Sequence, residues 1–378
     1  MIDLNKRDLC VGCTACSLAC PRGAITMKRS EEGFLYPEIR TDLCSSCGLC
    51  EGVCPIDEKT PDTDTPKAYY GWHSDDAVRY RSSSGGFFSA LADEVILQGG
   101  TVYGAIFNGK DFVYSSTDAV ALDALRKSKY TEIDPSDVFS KVKEDLSSGK
   151  KVLFCGTPCR VAGLRTYLGK DDENLILVDF LCGGVASPKF LKEDFQYWEK
   201  RSHSPVSGVD FRCKKSGWGG QYLMRIEFKN GRSKTILAKE DAYFTGFLSR
   251  LINRKSCYSC QYVDNHFADI TMGDFWEYRK VPGLSNDKKG MSMMVAQTEK
   301  GRAAIEEIKN FNLHELDYNL VKGNFSRTGN YHKNLEKRDD FVKSALEKGF
   351  IPASKKYMKR LTIFKYKVRY YLKKLRGE

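Results

Sequence analysis

The sequence predicts two dissimilar domains: an α+β N-terminal domain over residues 1–60, then, after a linker at 61–68, a larger α/β domain with a mixed sheet over residues 69–345. A basic amphipathic C-terminal helix over residues 350–378 completes the chain. Three observations carry this expectation. Eight of the fourteen cysteines lie in the first 55 residues, in two blocks of identical spacing. Beyond them, strand-like apolar runs alternate with helix-like amphipathic ones, the pattern of a parallel or mixed sheet. Finally, ten Lys or Arg and one acid lie between Lys355 and Glu378, so of the net charge of +11 only +2 belongs to the rest of the chain.

The first block, Cys10, Cys13, Cys16 and Cys20 followed by Pro21, has the spacing C-x2-C-x2-C-x3-C-P, and Cys44, Cys47, Cys50 and Cys54 followed by Pro55 repeat it 34 residues on. Thiolates at i, i+3 and i+6 let a short loop wrap three corners of a cubane cluster, and the proline then bends the chain away. All eight positions resemble the two-cluster 4Fe-4S ferredoxin domain, in which the fourth cysteine of each block serves the other cluster. The resemblance assigns one 4Fe-4S cluster to Cys10, Cys13, Cys16 and Cys54 and a second to Cys44, Cys47, Cys50 and Cys20. Structural zinc prefers C-x2-C pairs separated by a longer spacer. A disulfide framework belongs to a secreted context, and the polar start Met1–Arg7 offers no apolar signal segment. Between the blocks, Ala24–Met27 and Phe34–Pro37 read as short strands around the turn Glu31-Glu32-Gly33.

With 378 residues, 41% of them apolar and 12% aromatic, the remainder is long enough to bury a core. No apolar run approaches the roughly 18 residues that would span a bilayer. A cytoplasmic protein with reduced thiols is expected. The basicity is confined to the tail and no recognition motif accompanies it, so nucleic acid is not an expected partner.

Pro61–Pro66 is rich in turn formers and reads as the linker, and Ala68–Trp72 as the first strand beyond it. Ser82-Ser83-Ser84-Gly85-Gly86 then opens a helix at Phe87–Leu97. Its first N–H groups suit an anion such as phosphate; an ordinary serine cap is the competing reading. After Gly99-Gly100 come a strand at Thr101–Phe107, helices near Leu122–Ser128 and Val138–Leu146, and Lys129-Tyr130 between them.

Two strand–loop–helix units follow. Lys151–Cys155 is a strand, Gly156-Thr157-Pro158 a tight turn, and Cys159 opens a helix. Leu175–Leu181 is a buried strand ending in Cys182-Gly183-Gly184, with Ser187-Pro188 starting the next helix. Cys159 and Cys182 thus lie beyond the carboxyl ends of strands, where open α/β sheets bind ligands. Further on, Cys257-x2-Cys260 could be a redox dithiol, half a zinc site or part of a cluster. Together Cys159, Cys182, Cys257 and Cys260 make the four thiolates that a third 4Fe-4S cluster needs. Cys155 and Cys213 have no partner pattern and read as structural. Ala268–Trp276 is a strand running into a turn at Gly273-Asp274.

Ser84-Gly85-Gly86, Ser128-Lys129-Tyr130, Gly156-Thr157-Pro158-Cys159, Cys182-Gly183, the Cys257/Cys260 pair and Gly273-Asp274 resemble, in order, the β subunit of coenzyme F420-reducing hydrogenase and its relatives. The likeness runs from about Tyr69 to about Thr298. It implies FAD and one 4Fe-4S cluster held by Cys159, Cys182, Cys257 and Cys260. It implies further that Ser84, Gly85, Gly86, Lys129 and Tyr130 form the flavin-side loops, with Gly156, Thr157 and Asp274 among the cofactor-binding residues. Lys129 would balance the flavin's pyrophosphate or polarise its ring. Where relatives show Cys-His-Gly this chain has Cys182-Gly183-Gly184, and where they show Phe-Arg-Asp-Lys it has Phe211-Arg212-Cys213-Lys214.

The resemblance also implies the partners: a redox partner, either ferredoxin or a reduced flavin or deazaflavin cofactor, and a small-molecule or saccharide substrate. Bacterial members with an N-terminal ferredoxin block often accompany polysaccharide biosynthesis. The leading expectation is an iron–sulfur flavoprotein oxidoreductase. A non-catalytic electron-transfer subunit and a cluster-based redox sensor are the alternatives. In the tail, Leu361, Phe364, Val368, Tyr371, Leu372 and Leu375 fall at helical spacing opposite Lys and Arg. Such a helix suits an anionic membrane surface at the inner membrane face, a partner protein, or a solvated face of the chain itself.

Overall fold

The computed structural model describes residues 4–56, 58, 66–135, 137–326, 335–357 and 368. Its strands, in chain order, are β1 (Ile25–Arg29), β2 (Leu35–Ile39), β3 (Lys67–His73), β4 (Thr101–Phe107), β5 (Phe112–Ser116), β6 (Val152–Cys155) and β7 (Leu175–Phe180). They continue as β8 (Val206–Cys213), β9 (Leu223–Phe228), β10 (Ser233–Leu237), β11 (Ile270–Asp274), β12 (Ser292–Ala296) and β13 (Phe311–Leu316).

Eight strands form the central sheet in the order β13-β3-β12-β11-β7-β6-β4-β5. The inner run β4, β6, β7 and β11 is parallel, and antiparallel strands close both edges. The sheet is therefore mixed, as the alternation of strands and helices implies. Strands β6 and β7 read as unbroken apolar runs because both their faces are covered. Leu153, Ile176 and Val178 face the helix Phe87–Leu97 through Phe87, Leu91 and Val95. Val152, Phe154, Leu175 and Leu177 point the other way, onto the helices Val138–Ser147 and Pro158–Leu168. A second, antiparallel sheet in the order β10-β9-β8 packs with the helices Pro188–Ser202, Ala242–Leu248, Leu335–Lys348 and Phe350–Tyr357 around Phe190, Phe211, Phe244 and Phe341. The alternation pattern does not reveal this satellite.

The N-terminal block contributes the hairpin β1–β2, paired from Ile25↔Ile39 to Arg29↔Leu35, and the short helices Ala15–Leu18 and Leu49–Gly52. Strand β3 already begins at Lys67, and 61–65 of the expected linker lie outside the described residues. Of the expected tail helix, Phe350–Tyr357 is described, with Phe350 stacked on Phe190 at 5.1 Å. Leu361, Phe364, Tyr371, Leu372 and Leu375 lie outside the described residues. No helix among the described residues is long and apolar enough to cross a membrane.

The block is embedded in the body. Arg254, 1% exposed, donates to the carbonyls of Cys10 and Leu35, both at 2.7 Å, and pairs with the buried carboxylate of Glu132. Glu132 in turn accepts the Leu35 N–H at 2.8 Å. Arg160 reaches the Gly12 carbonyl, Thr166 donates to Val53 O at 2.7 Å, and Arg338 pairs with Glu32 in the hairpin turn. The closest approach is at Gly163, where a Cβ would stand 2.6 Å from the Cys13 Cβ and 2.9 Å from its sulfur.

This packing carries two predictions. In a helix interior Ala outranks Gly by about 1 kcal/mol, but overpacking costs about 1–3 kcal/mol, so the contact with Cys13 decides the sign at Gly163. Gly163→Ala is expected to lower the unfolding midpoint and to speed proteolytic release of the N-terminal block; a gain in stability would contradict the close packing. The second prediction concerns a buried acid pair. Burial and the neighbouring Asp241 hold the Asp194 carboxyl well above the usual carboxylate range. Asp241 receives the Trp198 Nε1–H at 3.0 Å and the Phe244 N–H at 2.7 Å, so the shared proton belongs on Asp194. A raised folded-state pKa means stability is lost as pH climbs from about 4, by about 1.4 kcal/mol per pH unit until Asp194 ionises. Asp194→Asn should flatten that decline in denaturant titrations from pH 4 to 8; parallel curves would contradict it.

Candidate functional site

The two cysteine blocks share backbone geometry as well as spacing. Gly12 and Ser46 occupy equivalent positions, as do Thr14 and Gly48, and all four are left-handed, with φ of 64°, 53°, 72° and 78°. For the β-branched Thr14 this conformation is costly, of the kind retained where a site requires it. The alternating twist curls each loop around a hollow. Cys10, Cys13, Cys16 and Cys54 line one hollow of about 40 Å³, and Cys20, Cys44, Cys47 and Cys50 line another of about 20 Å³. The structure thus brings together both sets of four that the ferredoxin resemblance implies, each taking its fourth cysteine from the other block. The Gly12 N–H points at Cys10 Sγ, 3.4 Å away, and the Ala24 N–H at Cys20 Sγ, 3.3 Å away. Cys47 is the exposed member of the second set. Burial pushes Cys13 up to about 12, so without a cationic centre it is a neutral thiol.

The third set gathers from three separate elements. Cys159 sits in the first turn of the helix Pro158–Leu168, Cys182 just beyond β7, and Cys257 and Cys260 around the turn Lys255–Ser259. The four lie within electrostatic reach of one another, Cys182 of Cys159, Cys257 and Cys260, and Cys260 of Cys257 and Cys159. Burial pushes Cys257 up to about 11 and Cys260 up to about 12. Backbone N–H groups are aimed at these sulfurs: Gly184 at Cys182 at 3.3 Å, Val185 at Cys257 at 3.4 Å. Thr157 Oγ1 lies 3.3 Å from Cys159 Sγ. Amides directed at sulfur favour thiolate and help tune cluster potentials. Among the described residues, no group of three or more His, Cys, Asp or Glu is drawn tightly enough to chelate a single ion.

The same carboxyl edge of the sheet carries a pocket. Strands β7 and β11 are parallel and pair as far as Phe180 and Met272, so Cys182, just beyond β7, and Asp274, the last residue of β11, both follow the carboxyl end of that pairing. Asp274 receives Arg212 Nη2 and Trp218 Nε1, each at 2.9 Å. Arg212 also donates to the Tyr130 hydroxyl at 3.3 Å and lies over the Tyr222 ring at 5.0 Å. Trp218 is stacked on Trp276, with centroids 4.5 Å apart and planes within 4°. Arg212, Trp218, Tyr222 and Trp276 line, with Ser83, a cavity of about 140 Å³, and Asp274 and Tyr130 brace Arg212 from outside its lining. Trp276 and Tyr222 remain 37% and 45% exposed at its mouth.

The loops expected on the flavin side meet here, but for reasons the sequence does not give. Ser83 Oγ accepts the Ser128 N–H at 3.0 Å, joining the Ser-Gly-Gly loop to the Lys-Tyr loop. The helix cap is Gly86 at φ 94°, without a side-chain bond, so the ordinary serine cap is not what forms. The Ser84 hydroxyl goes instead to the Met291 carbonyl. Gly85 is required because a Cβ would stand 2.6 Å from Gly71 O and Ser292 N. Lys129 departs from its expected role. Its ammonium turns into the C-terminal end of the helix Leu122–Leu125, donating to Leu125 O at 2.9 Å and to Arg126 O, and burial lowers its pKa to about 7. Gly156 and Thr157 border Cys159 rather than the pocket. Arg212, Trp218 and Trp276 are pocket residues that spacing alone missed. Lys214, missed likewise, braces the Ser-Gly-Gly loop through the Arg79, Ser84 and Lys289 carbonyls.

Comparison with known proteins agrees with this division. Residues 9–57 match the 4Fe-4S dicluster domain, and residues 149–318 match the C terminus of the coenzyme F420 hydrogenase/dehydrogenase beta subunit. One component of the F(420)H(2) dehydrogenase of Methanosarcina mazei is 25% identical over 291 residues, 72% of this chain and 77% of that protein. The coenzyme F420-dependent sulfite reductase of Methanocaldococcus jannaschii is 25% identical over 329 residues, 82% of this chain but 46% of that protein, so this chain spans less than half its length. A component of the ketoisovalerate oxidoreductase of Methanothermobacter marburgensis is 42% identical over 52 residues, 13% of this chain and 66% of its own. The chain thus joins an N-terminal 4Fe-4S dicluster domain to a region that belongs with the C terminus of the coenzyme F420 hydrogenase/dehydrogenase beta subunit.

Proposed function

We propose that the chain is an iron–sulfur flavoprotein oxidoreductase that passes electrons between a low-potential donor and a substrate. In this reading three 4Fe-4S clusters are held by Cys10/Cys13/Cys16/Cys54, by Cys20/Cys44/Cys47/Cys50 and by Cys159/Cys182/Cys257/Cys260. FAD is received at the pocket of Arg212, Trp218, Tyr222 and Trp276. The observation that carries the reading is that Cys182 follows β7 and Asp274 ends the neighbouring parallel strand β11, with Asp274 holding Arg212 and Trp218 of the pocket wall.

The residues fit the proposed groups in kind. Buried thiols with amides aimed at their sulfurs suit a cluster. A fixed guanidinium beside partly exposed aromatic rings suits an anionic, planar cofactor. When bound, clusters carry single electrons and a flavin collects two for release as a pair. Asp274 keeps Arg212 charged and locks Trp218 in plane. Lys214 holds the Ser84 loop against the pocket wall. A donor, either ferredoxin or a reduced flavin or deazaflavin cofactor, would meet the second cysteine set, where Cys47 and the 52%-exposed Leu49 face solvent. A small-molecule or saccharide substrate in polysaccharide biosynthesis rests on family resemblance alone. Tail docking on an anionic membrane rests on the tail's charge and helical spacing.

A second reading, a non-catalytic electron-transfer subunit of a larger complex, is favoured by the small cavity of about 140 Å³. Anaerobic purification with iron and flavin assay separates the two. The proposal expects about twelve irons, four per cluster, and one FAD per chain; flavin-free protein would leave the relay. Cys257→Ser should remove about four irons and spare the other eight, and Arg212→Gln should lower flavin content with iron unchanged. Unchanged iron in Cys257→Ser would contradict the ligand set.

A further inference from the structure

We propose that Tyr262 is a two-ended tie that fixes the spacing between the first and third cysteine sets, an inference that rests on reading those sets as cluster ligands. Tyr262 lies two residues beyond Cys260 in the chain. At its other end the phenol donates to the Pro55 carbonyl at 2.7 Å, immediately after Cys54. One residue is therefore joined to a ligand of the third set through two peptide units and to the ligand loop of the first set through its side chain.

The surroundings support a tie rather than a space-filling ring. Tyr262 is 3% exposed and packs in one apolar cluster with Cys13, Cys159 and Cys260. Phe267, tilted across it at 6.2 Å and 60°, fixes the ring's orientation. A ring needed only for volume would gain nothing from a buried hydroxyl, which costs free energy unless it finds a partner. Here the partner belongs to the other domain.

A second connection runs between the same two sets. The helix Pro158–Leu168 carries Cys159 in its first turn, and Gly163, four residues on, is pressed against Cys13. Four residues of helix span about 6 Å and do not stretch. The helix fixes one dimension of the spacing and Tyr262 a second, so neither set can slide past the other. Separation between redox centres governs how readily an electron passes, and this is what the tie would protect.

The test uses the full chain, reconstituted anaerobically, with Tyr262→Phe and Tyr262→Leu. Tyr262→Phe removes one hydrogen bond and keeps the ring. It is expected to retain wild-type iron content, while amide exchange in the segment 53–56 accelerates about tenfold, the equivalent of one hydrogen bond. Electron paramagnetic resonance of the dithionite-reduced protein is expected to show a weaker magnetic interaction between centres in Tyr262→Phe and a weaker one still in Tyr262→Leu. Wild-type exchange in both variants overturns the proposal. So does faster exchange with an unchanged magnetic interaction at full iron content, which would make Tyr262 a packing residue. If the wild-type protein holds about eight irons, the three-cluster reading fails, and the exchange measurement alone decides whether Tyr262 ties the two segments.

Discussion

A single buried guanidinium holds the arrangement together. Arg254 is almost fully enclosed, and arginine does not shed its charge, so burial is tolerable only if every donor finds an acceptor. Glu132 and the carbonyls of Cys10 and Leu35 provide them, and the Tyr36 ring lies 4.2 Å from the guanidinium carbon. The same residue organises the third set through its backbone, where the Cys257 N–H is bonded to the Arg254 carbonyl at 3.0 Å. Its side chain thus grips the first cysteine loop while its main chain shapes the third.

From that constraint the layout follows. The iron–sulfur block cannot drift relative to the sheet because its loops supply the acceptors that Arg254, Arg160, Thr166 and Tyr262 require. The sheet in turn places Cys182 just past β7 and Asp274 at the end of its parallel neighbour β11. The second set is exposed at Cys47, and the first and third meet through Tyr262 and the helix Pro158–Leu168.

Much of this was legible in the chain. The repeat of Cys10 to Pro21 at Cys44 to Pro55 specifies both hollows, because cysteine spacing in a short loop leaves few geometries. The runs at Lys151–Cys155 and Leu175–Leu181 specify β6 and β7, because strands covered on both faces admit little but apolar residues. The pocket was less legible. Arg212, Lys214 and Trp218 work through partners 62, 130 and 56 residues away in sequence, and no local pattern encodes a long-range ion pair. Lys129 misled for a related reason: a lysine beside a loop can face a ligand or cap a nearby helix end, and only the fold chooses. Tyr262 and Gly163 are silent in the sequence because their roles are contacts with another domain.

The most direct test of the docking constraint is the Glu132→Gln variant. Removing one partner leaves the Arg254 charge buried without compensation, which costs about 3–5 kcal/mol. Denaturant unfolding of the full chain should register that loss, together with early proteolytic release of the N-terminal block. A variant with wild-type unfolding free energy and a protease-resistant block would show that the two domains are held together by something else.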